Sequence, residues 1–142
     1  MKALKPFVLM AVALGIAVAS LPRAADEELD TVPAMKVAQD WLRLVDAGQY
    51  ASSWDAAAEY FRASVTQSQW ETAMRQVRGH TGNVVARKVK SALFTRALPD
   101  APAGEYVVIQ YDTGFERGFA VETVTPMHEK DGSWKVSGYY IK

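Results

Sequence analysis

The spacing of apolar residues changes at Gly82, and that change closes off most folds open to a chain of this length. Before it, large apolar side chains recur every three or four positions, the period of a helix with one buried face. After it they alternate, the period of a strand with one buried face. The switch falls within Arg78-Gly79-His80-Thr81-Gly82-Asn83-Val84-Val85-Ala86-Arg87, where two glycines supply a chain reversal and two arginines bracket it. Helices followed by alternating strands belong to the α+β class, with the helices laid across one face of an antiparallel sheet.

Three helices are expected ahead of the switch. The first starts at Pro33, whose missing N–H costs nothing in a first turn. It carries Val37, Trp41, Leu44 and Val45 and stops at Gly48, the usual left-handed cap. The second presents Tyr50, Trp54, Ala57, Ala58, Phe61 and Val65 as one stripe. The third opens on a capping box of Ser68 and Glu71 and buries Trp70, Ala73, Met74 and Val77, with Arg75 and Arg78 flanking. Every stripe carries a tryptophan. Each fully buried large apolar side chain contributes about 1.5–3 kcal/mol, which matters because the chain has no cysteine to staple it.

Four strands are expected after the switch. The first places Val85, Arg87, Val89, Ser91 and Leu93 toward the core and Ala86, Lys88, Lys90 and Ala92 toward water. The segment 99–104, with two prolines and a glycine, is a turn. The second strand runs from Glu105 to Asp112, with Thr113-Gly114 as a tight turn. The third runs from Phe115 to Thr125, and a hairpin loop over 129–132 leads to the fourth. That last strand, Ser133 to Ile141, sets Trp134, Val136, Gly138 and Tyr140 on one face, so that Tyr139 and Tyr140 give a phenol to each side. Short turns between successive strands require antiparallel neighbours.

The N-terminus reads as an export signal over residues 1–19. Lys2 and Lys5 precede an unbroken apolar run from Phe7 to Ala19 that ends in Ala17-Val18-Ala19, the small-x-small pattern of a cleavage site. The run is shorter than the roughly 20 residues of a spanning helix, so no stable membrane anchor is expected after cleavage. Cleavage after Ala24 is the second option. Residues 20–32, acidic and polar, read as a disordered leader, and 33–142 as one domain. Without cysteine there is neither a lipid anchor nor a disulfide. The 16 basic and 16 acidic residues balance, and no basic block offers the phosphate contacts that nucleic acid demands.

Arg87 is the sharpest candidate for a site. Alternation puts a guanidinium that cannot lose its charge on the core side, where it must be paired. The acids in reach are Asp46, at the end of the first helix, and Glu122, which shares its strand face with Gly118, Ala120 and Val124. Two readings stand: a pair lining a ligand cavity, or an ion pair tying sheet to helices. Arg78 and His80, in the reversal, are further candidates for that site. His80 and His128, far apart and without thiols, make no metal set, and His80 is read as a loop residue. No Gly-x-Ser-x-Gly elbow, phosphate loop or dinucleotide fingerprint is present, so no cofactor is expected. Trp41, Tyr50, Trp54, Phe61, Trp70, Tyr106, Phe119 and Trp134 either line a pocket or fill the core.

Several separated pieces, Trp41-Leu42, Val45-Asp46-x-Gly48-x-Tyr50, Ser53-Trp54, Gln69-Trp70, Arg78 to Gly82, Arg87, Gly104-Glu105-Tyr106, Glu122-Thr123 and Asp131 through Tyr139, resemble the domain of unknown function 4019 family. The order of helices and strands also resembles the nuclear transport factor 2-like, cystatin-like α+β roll. That resemblance implies three helices on a curved four-stranded antiparallel sheet, with a cone-shaped cavity in many such rolls, and bacterial exported proteins with no assigned activity. Fold alone does not give function. The expectation is a periplasmic, non-catalytic module that binds a small apolar ligand or another envelope protein. The alternative is a roll-fold enzyme with isomerase- or dehydratase-like acid–base chemistry. A homodimer on the outer sheet face is a further expectation, against which Lys88 and Lys90 speak.

Overall fold

The computed structural model describes residues 24–142, with side chains from Thr31 onward. The expected signal segment lies outside the described residues. Helix α1 spans Ala24–Asp46 and holds Pro33 inside it. It therefore begins upstream of the expected start at Pro33 and takes in part of the stretch expected as a leader. Ala34, Ala38, Trp41, Leu42 and Val45 form its buried stripe, and Gly48 ends it at φ 72°. No helix among the described residues is long and apolar enough to cross a membrane.

The stripe expected as a second helix is two short helices, α2 (Tyr50–Asp55) and α3 (Glu59–Ser64), so the described residues form four helices rather than the expected three. The break has a backbone cause. Ala58 is extended, and its N–H donates to the Val136 carbonyl of the last strand at 2.8 Å. A donor committed to the sheet cannot also continue a helical ladder. Helix α4 (Gln67–Thr81) starts two residues earlier than Ser68 and Glu71 suggested. Its capping box is Thr66 with Gln69, each side chain accepting from the other's N–H. Trp70, Met74 and Arg78 are its buried residues, whereas Val77, expected inward, is partly exposed. The helix includes His80, which is therefore not in a loop, and Gly82 caps it at φ 72°.

Four antiparallel strands follow in the order β1-β2-β3-β4: Val84–Thr95, Tyr106–Phe115, Gly118–His128 and Trp134–Ile141. The period change at Gly82 is thus where helix gives way to strand. The β2–β3 turn lies at Glu116-Arg117, not at Thr113-Gly114. It is pinned there because Glu116 N–H and Arg117 N–H donate to the carbonyls of Asn83 and Thr81, and Arg117 Nη1 donates to that of Gly79. The hairpin tip is thereby tied to the α4–β1 junction.

Three register shifts correct the expected faces. In β1 they fall between Val84 and Ala86 and between Val89 and Ser91. Each extra residue on one strand shifts the alternation by one. Val85 and Leu93, expected inward, are therefore exposed at 73% and 64%, and Ala92 and Phe94 pack on the core instead. A third shift, at Thr125/Pro126 opposite β4, carries Trp134 and Val136 over to Tyr139. Tyr139 joins the core, and Gly138 and Tyr140 move to the outer face. The core lies between the helices and one sheet face, built on Trp41, Leu42, Phe61, Trp70, Ile109, Tyr111, Val124 and Val136.

Candidate functional site

Glu122 lies mid-strand in β3 on the helix-facing side, with 0% of its surface exposed. Its surroundings come from the whole sheet and two helices. Arg87 Nε donates to Glu122 Oε1 at 2.7 Å and Arg87 Nη2 to Oε2 at 3.2 Å. Thr113, directly across from Arg87 in the register, donates its hydroxyl to Oε1 at 2.6 Å. The Tyr139 hydroxyl of β4 donates to Oε2, and Arg78 Nη2 of α4 reaches the same oxygen at 3.4 Å.

Asp46 closes the arrangement from the C-terminus of α1. Arg87 Nη1 and Nη2 donate to its two carboxylate oxygens at 2.7 and 3.0 Å, and Arg78 Nη2 stands 3.0 Å from Oδ1. Two guanidinia and two carboxylates balance in charge. Arg87 thus meets both acids that the sequence proposed for it. Arg78 also stacks over Phe115 at 5.2 Å from the ring centroid, and the Arg87 guanidinium sits 6.0 Å from the Tyr111 ring.

The electrostatics follow from these contacts. Burial works to lower the Arg87 pKa, but the hydrogen bonds it donates to Asp46 and Glu122 outweigh it and hold the group above its ordinary value. Burial, then the charge of Glu122, raises the Tyr139 phenol well above 10.0. Burial likewise pushes Tyr111 up to about 12. Both phenols therefore stay neutral through the physiological range. Each Glu122 oxygen already accepts at least two hydrogen bonds, so neither is left to take a proton from a substrate. A polar cleft of about 360 Å³ flanks the network, walled by Asp46, Tyr50, Arg75, Arg78 and Asn83 among others.

The aromatic candidates divide. Trp41 and Trp70 lie 5.7 Å apart, and both contact Phe61 and Tyr139. Their indole N–H groups both end on Ser53, one on its carbonyl and one on its hydroxyl. The serine just before Trp54 is therefore a buried hub for two indoles. Trp54 donates to the Val65 carbonyl, and Tyr50 packs partly buried at the core's margin. Trp134 stacks on His128 at 4.9 Å, away from the network. His80 turns back to the Gln76 carbonyl at 2.7 Å and does not join Arg78 and Arg87.

Arg78, a candidate for this site in the sequence but placed on the flank of its helix, belongs to the buried row of α4, four positions beyond Met74. Sequence reasoning missed the outer face of the sheet. There Phe119 is 95% exposed and leans over Gly114, its ring 3.3 Å from where a Cβ would stand. A groove of about 550 Å³ opens beside it, floored by Ala86, Gly114 and Val121 and rimmed by Lys88, Asp112 and Lys142. The displaced hairpin turn, which lengthens β2 and places Phe119 over Gly114, was the missing signal.

A family described as "protein of unknown function (DUF4019)" matches residues 37–139, a span that takes in the network and all of the outer groove but Lys142. No curated protein matches the chain.

Proposed function

The chain belongs to this family of proteins of unknown function, and we propose that it is an exported, non-catalytic binding module. Its ligand is a small apolar molecule held against the outer face of the sheet. The observation that carries this reading is the groove under Phe119. Its volume of about 550 Å³ falls within the several hundred cubic ångströms typical of small-molecule sites. Its floor is apolar, and an aromatic ring exposed at 95% stands ready to cover a guest. An isolated exposed phenylalanine loses favourable burial that a ligand can restore.

In this reading the Arg78–Arg87–Asp46–Glu122 network is a structural tie between helices and sheet. The acid–base alternative needs an interior carboxylate free to accept a proton, and Glu122 and Asp46 are both engaged by arginines. That favours binding over catalysis. The order of four helices and a four-stranded meander supports a nuclear transport factor 2-like, cystatin-like roll. The charged start, apolar run and Ala17-Val18-Ala19 support export to the periplasm with loss of residues 1–19.

Titration with indole, a neutral apolar probe, tests the site. Phe119→Ala, at an exposed position, is expected to fold normally and to weaken indole binding about fivefold, the loss of part of one buried ring. Unchanged affinity in that variant would remove the groove from the account. A second copy or another envelope protein seated on the same face would instead raise the mass seen by light scattering and shield Phe119 from the probe.

A further inference from the structure

We propose that a second groove, between the loop over residues 98–101 and the outer face of β2–β4, binds a small organic ammonium with an apolar body. The groove encloses about 320 Å³ and is walled by Tyr60, Asp100, Tyr106, Val108, Thr123 and Tyr140, among others. It occupies the opposite end of the sheet face from Phe119, so the two sites stand or fall separately.

Thr123 is the first argument. Register places it on the outer face, opposite Gln110 on one side and Tyr140 on the other. It is only 3% exposed, and its hydroxyl finds no hydrogen-bond partner among the described residues. A buried hydroxyl without a partner is costly, and an N–H delivered by a ligand satisfies it.

Charge is the second argument. Asp100 is the one charged residue among those walling the groove. An anionic guest meets repulsion there and no compensating cation. An ammonium meets a carboxylate. The exposed rings of Tyr60 and Tyr140 in the same wall add the attraction of their negative faces for a cation. Apolar surface from Leu98, Pro99 and Val108 accommodates the guest's body.

The loop itself is held over the groove. Asp100 has φ 59°, a left-handed conformation that costs a non-glycine residue energy and recurs at ligand clamps. The Tyr60 hydroxyl reaches the Asp100 carbonyl at 3.4 Å and joins the loop to α3. The Tyr106 hydroxyl donates to the Pro102 carbonyl at 2.7 Å and anchors its far end. The Asp100 backbone is thereby held over the groove rather than left to swing away.

The test is an amide-resolved NMR titration with three probes of one size: benzylammonium, benzyl alcohol and benzoate. Benzylammonium is expected to shift Val108, Thr123, Gly138 and Tyr140, and to bind about tenfold more tightly than either other probe. Asp100→Asn keeps a residue that tolerates left-handed backbone. It is expected to weaken benzylammonium about threefold and leave benzyl alcohol unchanged. Thr123→Val removes only the buried hydroxyl, so the fold is retained, and benzylammonium affinity is expected to fall about tenfold. Equal affinity for the three probes, shifts centred elsewhere, or Asp100→Asn and Thr123→Val variants that bind benzylammonium as the parent does would overturn the proposal.

Discussion

Arg87 reaches two carboxylates that lie far from it in sequence, one on each side, and this makes it the residue whose loss is felt most. Truncating one partner of a buried ion pair leaves the others' charge uncompensated, at a cost of about 3–5 kcal/mol. Arg87→Ala should lower the unfolding free energy by that amount in urea titrations, and Arg87→Lys should not restore it, because one ammonium cannot match the planar fork. A change below 1 kcal/mol would mean the network carries little of the stability. The phenols give a pH signature. Tyr111 and Tyr139 have folded-state pKa values above their unfolded value of 10.0. Their contribution is whole below pH 10 and is lost as the unfolded chain ionises first above it. The urea midpoint should therefore hold from neutrality to about pH 10 and fall beyond it. The fall should be shallower in Tyr139→Phe, and an identical slope in that variant would contradict the assignment.

At the scale of elements, the capping of α4 separates the sequence's first candidate from the one in the structure. Thr66 and Gln69 hold each other's backbone N–H, so Thr66→Ala should cost about 1 kcal/mol. Ser68→Ala, two residues further in, should fall within about 0.5 kcal/mol of the parent. Equal losses in thermal melts would put the cap back at Ser68. These elements also show what a sequence carries and what it hides. The Arg87 pairing was legible, because β1 alternates cleanly from Arg87 to Val89 and an inward guanidinium demands an acid. The faces beyond Val89 were hidden. Lys90 adds a residue without disturbing the polar–apolar rhythm, so Leu93 reads as inward and Phe94 as outward when the reverse holds. The break between α2 and α3 was hidden for another reason: alanines favour helix, and only the distant Val136 carbonyl draws the Ala58 N–H away. Arg78 is legible as a candidate but its burial is not, because a stripe that stops at Val77 looks complete, and a buried cation is intelligible only once Asp46 and Glu122 are seen beside it.

For the molecule as a whole, one sheet face is closed and the other open. The helix side is filled by stacked rings and a neutralised charge network. The outer side displays Val85, Leu93, Phe119 and Tyr140 over two grooves. Interiors packed with large rings resist new guests without repacking, so ligands are expected on the open side. Amide-resolved NMR of residues 20–142 titrated with indole tests that division most directly. Saturable shifts are expected at Ala86, Gly114, Phe119 and Val121, with Trp41, Trp70 and Tyr139 unmoved. Shifts concentrated on those three rings and Glu122, with the outer face silent, would contradict it and return the ligand to the interior.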